Sequence, residues 1–405
     1  MVGEPLWTGG TRELQLRAAG ALEGVRLHLV DVSAGLGASR ALASRNQLAT
    51  ATAVAAALPL AAPQLPAGAG QPPIIARRLW AQGISPPRVA PGYGAVRMAF
   101  VHHTENPNGY RAGEVPAMLR AIYAFHRYVN GWNDIGYNFV IDLYGRIFEA
   151  RAGGVDEPVV GAHAGGYNLA STGVAVLGSF MNVPISAPAR AALERLLAWK
   201  LPLHGVPAIG SVTVKVNPAG ASYSRFPAGA RVLLPRIAGH RDGDSTDCPG
   251  DVLYAALPGL RTRVLALAPR PSRLTLLLAP SPPSPAPAPS ATPQAYTLTG
   301  ALAFLDGTPI AGATVLVQAR TVGKRGEVVL ERTLAEAVTD AQGRWSVPGS
   351  YGIVRKRGLW LRAVYAGVPG ASGTTISEPL GVAVQPLSPP AAPAPTPPAA
   401  VPPGP

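Results

Sequence analysis

Three stretches poor in anything that could fill a core divide this 405-residue chain. An Ala/Pro/Gly segment covers residues 35–72, a Pro/Ser/Ala segment 268–295 and a Pro/Ala tail 385–405. Proline fixes φ and carries no amide proton, so such runs neither propagate a helix nor complete a sheet, and they serve as extended, semi-rigid spacers. Folded structure is thereby confined to two regions, 73–267 and 296–384. A strand-like piece over 1–34, with alternation in Leu14-Gln15-Leu16-Arg17, is too short to fold alone. The tail has little to bury and is expected to be disordered.

Charge narrows the partners. Lys and Arg number 35 against 22 Asp and Glu, a formal net charge of +13. Such a field attracts anionic cell-wall polymer, acidic lipid or nucleic acid. Nucleic acid is disfavoured, because no contiguous basic run is interleaved with aromatics. The most apolar internal stretch, Leu48 to Ala62, is interrupted by Pro59 and too short for a bilayer, so no membrane span is expected. The amino terminus lacks a basic region followed by an apolar one and does not read as a signal peptide.

Within 73–267 the periodicity alternates between strand and helix. Residues 98–101 and 172–177 read as apolar strands, and 138–142 with 146–148 as a hairpin across Tyr144-Gly145. Leu119, Ile122, His126 and Val129 recur at helical spacing within 115–129, where Pro116 suits a first turn. Residues 188–199 form a second amphipathic pattern, and 232–237 a strand that leads to His240, with Pro235 implying an edge or a bulge. Strands and helices in this order build an α/β or α+β domain around one sheet. Residues 296–384 instead show only alternating runs, such as 314–319 and 359–364, separated by Asp306-Gly307 and Asp340-Ala341-Gln342-Gly343 turns, which points to a β-sandwich.

The chain holds one cysteine, Cys248, eight residues after His240. With no second thiol to pair with, it is a buried small apolar residue, a nucleophile or a metal ligand. Catalytic zinc takes three His, Cys or carboxylate ligands and leaves a fourth position open, so His240 and Cys248 could supply two. A third candidate ends the apolar run Ala99-Phe100-Val101-His102-His103. Adjacent strand residues point to opposite faces, so at most one of that pair reaches a given site.

Six separated blocks, in order, carry a family resemblance: Pro73-Ile74-Ile75-Ala76-Arg77 before Trp80; Val101-His102-His103-Thr104; and Gly131-Trp132-Asn133-Asp134-Ile135-Gly136-Tyr137-Asn138-Phe139. They continue with Gly145 to Arg151, Gly161-Ala162-His163 with Gly166-Tyr167-Asn168, and Gly239 to Gly250. Over roughly 72–263 the chain resembles the zinc-dependent type 2 N-acetylmuramoyl-L-alanine amidases, which include the peptidoglycan recognition proteins. The resemblance implies an α/β fold with a mixed central sheet flanked by helices. It also implies Zn2+ held by His102, His240 and Cys248, with His103 facing elsewhere as a groove residue, and catalytic support from Tyr137 and Thr246. His103, Arg151, His163 and Asn168 are the residues set to meet substrate, His163 either lining the groove or bracing a loop. His126 reads as packing or a hydrogen bond, and Asp242 and Asp247 as orienting a histidine or the loop backbone.

Three departures stand out from the animal recognition proteins. The paired cysteines after the first histidine are missing, Ala152-Gly153-Gly154 replaces a Gly-Trp step, and residues 206–229 add a hairpin-like insert similar to actinobacterial members. The β region more loosely resembles bacterial immunoglobulin-like or carboxypeptidase-regulatory-like modules through 307–313 and 339–345, and is expected to act as a spacer that keeps the enzyme near the wall. The implied activity is hydrolysis of the amide between N-acetylmuramic acid and L-alanine of peptidoglycan, with non-catalytic peptidoglycan recognition as the alternative. A third option has the sandwich as the working part. A wall substrate implies a secreted or cell-envelope location, which the missing signal peptide does not match: an incomplete or misassigned chain start is the first expectation, with another export route or action on cytoplasmic muropeptides as alternatives.

Overall fold

The computed structural model describes residues 70–280, 296–323, 326–347, 351–354, 359–368, 371–381 and 383–386. The expectations for 1–34, for nearly all of 35–72 and for the tail beyond 386 lie outside these residues.

The first unit is layered around a six-stranded mixed sheet. Its strands are β1 (Ile74–Ile75), β2 (Met98–His103), β3 (Phe139–Ile141), β4 (Ile147–Glu149), β5 (Ser171–Val176) and β8 (Ile237–Gly239). They lie in the order β1-β4-β3-β5-β2-β8. Only β3 and β4 pair antiparallel, as the hairpin pattern predicts, and β2 runs parallel to both β5 and β8. Parallel strands need covering on both faces. On one face lie α2 (Ala187–Leu203) and α3 (Asp251–Leu267), whose Leu193, Leu197, Leu257 and Leu260 bury Ala99, Val101, Val174 and Ile237. The other face is shared between α1 (Val115–Ala124), which packs Met118, Leu119 and Ile122 on Val140 and Ala175, and a hairpin that covers Met98, Phe100 and Ala238.

The helices follow from their sequence. Pro116 sits in the first turn of α1, and after Ala124 the chain continues through a wider turn, Phe125–Val129. Ser186 caps α2 by accepting the Ala189 amide proton at 3.2 Å. The helix then runs past the expected 188–199 to Leu203, because Trp199, Leu201 and Leu203 extend the buried stripe.

Two expectations require correction. The single strand expected over 232–237 is two strands in different sheets. β7 (Arg231–Pro235) pairs with β6 (Ser211–Lys215) of the insert, and β8 belongs to the central sheet. Pro235, with no amide proton to donate, closes the first of them. The spacer expected over 268–295 is in part structural: β9 (Ser272–Leu274) and β10 (Leu277–Pro280) both pair with β11 (Tyr296–Phe304). Leu274 and Leu276 are buried there, a short apolar alternation hidden by the surrounding prolines.

The second unit is a sandwich of antiparallel sheets. One contains β10, β11 and β15 (Tyr351–Val354) with β18 (Ala383–Pro386), while β9 and β14 (Arg344–Ser346) also pair with β11. The other has the order β13 (Val328–Val338), β12 (Thr314–Val322), β16 (Leu359–Tyr365), β17 (Thr375–Ile376). Leu274, Leu298, Leu302, Val315, Val317, Trp345 and Leu361 fill the shared core.

The sandwich is docked on the α/β unit. Arg320 of β12 and Arg362 of β16 each direct a guanidinium nitrogen at Asp156 and Glu157, at 2.9 and 2.6 Å and at 2.6 and 3.0 Å. Lys200 of α2 donates from below to the carbonyls of Val155 and Glu157, both at 2.8 Å. Burial drives its ammonium down to about 7. Tyr93 packs on Trp360 with ring centroids 4.6 Å apart, and Ile376 of β17 joins the α2/α3 core. Burial alone would raise the Asp156 carboxyl, but the two guanidiniums hold it well below the usual carboxylate range. No described helix is long and apolar enough to cross a membrane.

Removing one partner from a buried ion cluster leaves uncompensated charge at a cost of about 3–5 kcal/mol, whereas exposed pairs contribute about 0–1 kcal/mol. Arg362→Ala is therefore expected to lower the denaturant midpoint strongly, and Arg344→Ala, whose pair with Asp340 is exposed, to change it little. Equal, small shifts in urea unfolding would contradict the docking role.

Candidate metal centre

The pleat of β2 decides which histidine faces the site. Met98, Phe100 and His102 share the face covered by α1 and the hairpin, and Ala99, Val101 and His103 the face covered by α2 and α3. His102 therefore emerges at the carboxyl end of the strand, beside β8, which ends at Gly239 and passes directly into a helical turn beginning at His240. The Asp242 carboxylate caps that turn by accepting the Gly239 amide proton at 2.9 Å and the Tyr254 hydroxyl proton at 2.5 Å. The following loop returns Cys248 to the same spot, its carbonyl accepting the Arg241 amide proton at 2.9 Å.

His102, His240 and Cys248 thus converge, with one ligand atom from each lying within 4.8 Å of the others. Cys248 Sγ is 3.7 Å from His102 Nδ1 and accepts the His103 amide proton at 3.4 Å. The two imidazole rings have centroids 4.4 Å apart. Burial, then the neighbouring His240, lowers the His102 pKa well below its ordinary value, so the imidazole is neutral and its lone pair available. Two imidazoles and a thiol are a borderline-soft N,N,S donor set, which fits zinc.

Each histidine has a polar partner behind it. His163 Nδ1 lies 3.2 Å from His102 Nε2, and Asp244 Oδ2 lies 3.0 Å from His240 Nε2. Burial, then His240 and Arg151, lowers the His163 pKa to about 3. The His163 ring is seated so tightly that a Cβ on Gly173 of β5, or on Gly161, would overlap it. Phe100 forms the floor, with ring centroids 6.2 to 6.5 Å from those of His102, His163 and His240. Tyr137 forms a wall, its ring centroid 5.3 Å from that of His102. It is held by His126, whose Nδ1 accepts the Gly136 amide proton at 3.1 Å and whose ring packs on Trp132 at 4.6 Å.

The other expected site residues divide. Arg151 adjoins Tyr137, its amide bonded to the Tyr137 carbonyl at 3.0 Å and its guanidinium to the Ile135 carbonyl at 2.8 Å. The Thr246 hydroxyl accepts the Cys248 amide proton at 3.2 Å, on the loop that carries the thiol. His103 needs correction as a substrate contact, while Asn168 carries a structural bond beside the site. His103 is buried on the opposite face of β2, where Nδ1 accepts the Phe180 amide proton at 3.4 Å and Nε2 meets Glu105. Asn168 Oδ1 accepts the amide protons of His163 and Ala164 at 2.8 and 3.1 Å, so this side of the amide braces the loop. Asp244 was overlooked by sequence reading. Its signal was the i,i+4 spacing from His240, which becomes informative once residues 240–243 form a helical turn. The insert secures this loop: Arg225 donates to the Gly243 carbonyl at 2.9 Å and Ser245 to the Tyr223 carbonyl at 3.1 Å.

Residues 92–251 match a family model described as N-acetylmuramoyl-L-alanine amidase. The chain is 31% identical over 208 residues to a human N-acetylmuramoyl-L-alanine amidase, a match covering 50% of this chain and 31% of that protein. It is 34% identical over 103 residues to peptidoglycan-recognition protein LE of Drosophila melanogaster, covering 25% and 29%. The chain spans less than a third of the length of these two relatives. Among solved structures, wild-type Drosophila PGRP-LB is similar with a TM-score of 0.35 at 26% identity, over 45% of this chain and 91% of that one.

Overpacking a filled interior costs about 1–3 kcal/mol. Gly173→Ala, which pushes a methyl into the His163 ring, should lower stability by about that much, and Gly109→Ala, with open space around it, should not. Thermal unfolding of the two variants with equal midpoints would refute the close seating of His163.

Proposed function

We propose, from the match of residues 92–251 to the N-acetylmuramoyl-L-alanine amidase family, that this protein is a zinc hydrolase that cleaves the amide between N-acetylmuramic acid and L-alanine of peptidoglycan, in wall turnover or lysis. The observation that supports it is the placement of Cys248 Sγ 3.7 Å from His102 Nδ1, with His240 completing a three-ligand cluster. A thiol is a ligand that a purely recognising groove does not need.

His102, His240 and Cys248 hold the ion, and zinc when bound supplies Lewis acidity to the scissile carbonyl and acidity to the attacking water. Tyr137, on the wall beside His102, orients that water or hydrogen-bonds the developing oxyanion. The Thr246 hydroxyl accepts from the Cys248 amide and so has its own proton to donate to the same oxyanion. Arg151 is the cation on this wall, where it meets the stem peptide. His163 stands behind His102 and sets its tautomer.

Peptidoglycan is the partner, and the excess of Arg and Lys draws the enzyme toward anionic wall polymers. That substrate places the protein outside the membrane, secreted or in the cell envelope. The docking of the sandwich makes the C-terminal unit a support of the catalytic unit rather than a tethered spacer.

Purified protein is expected to hold one zinc and to release stem peptides from sacculi, seen as new L-alanine amino termini. Cys248→Ala should lose both metal and turnover. Stoichiometric zinc and tight sacculus binding without any new amino termini would leave only the recognition reading.

A further inference from the structure

Asp244 lies in the motif that carries two of the clustered ligands, and its carboxylate is almost fully buried, 3% exposed. A buried carboxylate must be compensated by hydrogen bonds. Here both compensating bonds converge on one oxygen: Oδ2 is 3.0 Å from His240 Nε2 and accepts the Gly165 amide proton at 2.6 Å. Oδ1 is buried with no hydrogen-bond partner among the described residues. The carboxylate is thus not satisfied for its own sake; one oxygen is spent on a histidine and a loop amide at the expense of the other.

The chemistry of that arrangement is specific. An acceptor at Nε2 keeps the proton on Nε2 and the lone pair on Nδ1, the form in which the imidazole can ligate through Nδ1. Gly165 lies two residues beyond His163, whose Nδ1 faces Nε2 of His102. Fixing the Gly165 amide therefore also fixes the loop that stands behind the second ligand. The position of Asp244 is in turn set by the insert, through the antiparallel bridge between Ser224 and Asp244, and by the Asp244 amide bond to the His240 carbonyl at 3.1 Å.

We propose that Asp244 is the positioning residue of the metal centre: its carboxylate fixes the tautomer and orientation of His240 directly and, through the Gly165 amide, steadies the loop that orients His102. This rests on the reading of the His-His-Cys cluster as a zinc site. Asp244 touches neither metal nor substrate, so its effect is on ion affinity. Loss of such a partner weakens metal binding by about 10–100-fold.

The test is competition with a chromogenic chelator, using Zn2+ and the full chain as wild type, Asp244→Asn and Asp244→Ala, with the apo unfolding transition recorded for each. Asp244→Ala is expected to raise the zinc Kd by about 10–100-fold while the apo protein still unfolds cooperatively. Asp244→Asn, which keeps a neutral acceptor oxygen, should fall between it and wild type, and it carries the test if the alanine variant does not fold. Wild-type affinity in the asparagine variant and in a folded alanine variant would overturn the assignment of Asp244 alone. A wild-type protein that takes up no zinc would overturn the zinc reading and this assignment together.

Discussion

Strand β2 is hydrogen-bonded along both edges, to β5 and to β8, and is packed on both faces, so neither its register nor its pleat has freedom to slip. A shift by one residue would exchange His102 for His103 and bury the ligand against α2 and α3. The same pairing aligns Val101 with Gly239, and so sets where His240 begins its helical turn. Two of the three clustered residues are therefore placed by the backbone hydrogen bonds of the central sheet. Cys248 alone depends on a loop, and that loop is tied down by the insert and by the cap at Asp242.

Burial around the cluster has an electrostatic purpose. His102 and His163 are removed from water and surrounded by other imidazoles, which disfavours a proton on either ring. Neutral rings are what a dication requires, and the amide proton of His103 directed at Cys248 Sγ favours negative charge on the sulfur. Among the described residues, the site is thus readied for a cation by His102 held neutral and by a backbone donor on the sulfur. The described carboxylate at the site stands behind His240.

Much of this was legible in the sequence. Alternation gave β2, β5 and the β3–β4 hairpin, and helical spacing gave α1 and α2, because each buries one face on a neighbouring layer. The grouping of His102, His240 and Cys248 was readable through the ordered motif blocks, not through any single histidine. What escaped depended on contacts between distant segments. His103 occupies a motif position but directs its ring nitrogens at Phe180 and Glu105. Asp244 gains meaning only from a helical turn, and the strands at 272–280 were masked by a compositional average that cannot register a short apolar-patterned run between Pro271 and Pro280.

The charges at the junction of the two units carry a different kind of consequence. Asp156 and Glu157 belong to one unit and Arg320 and Arg362 to the other, so each half, made alone, would expose or strand a pair of like charges that the intact chain neutralises. Recombination that exchanged the sandwich for one without both arginines would leave two carboxylates facing an apolar surface. The two halves are consequently heritable as a matched pair, and the unit on which selection acts extends well beyond the residues that make up the metal centre.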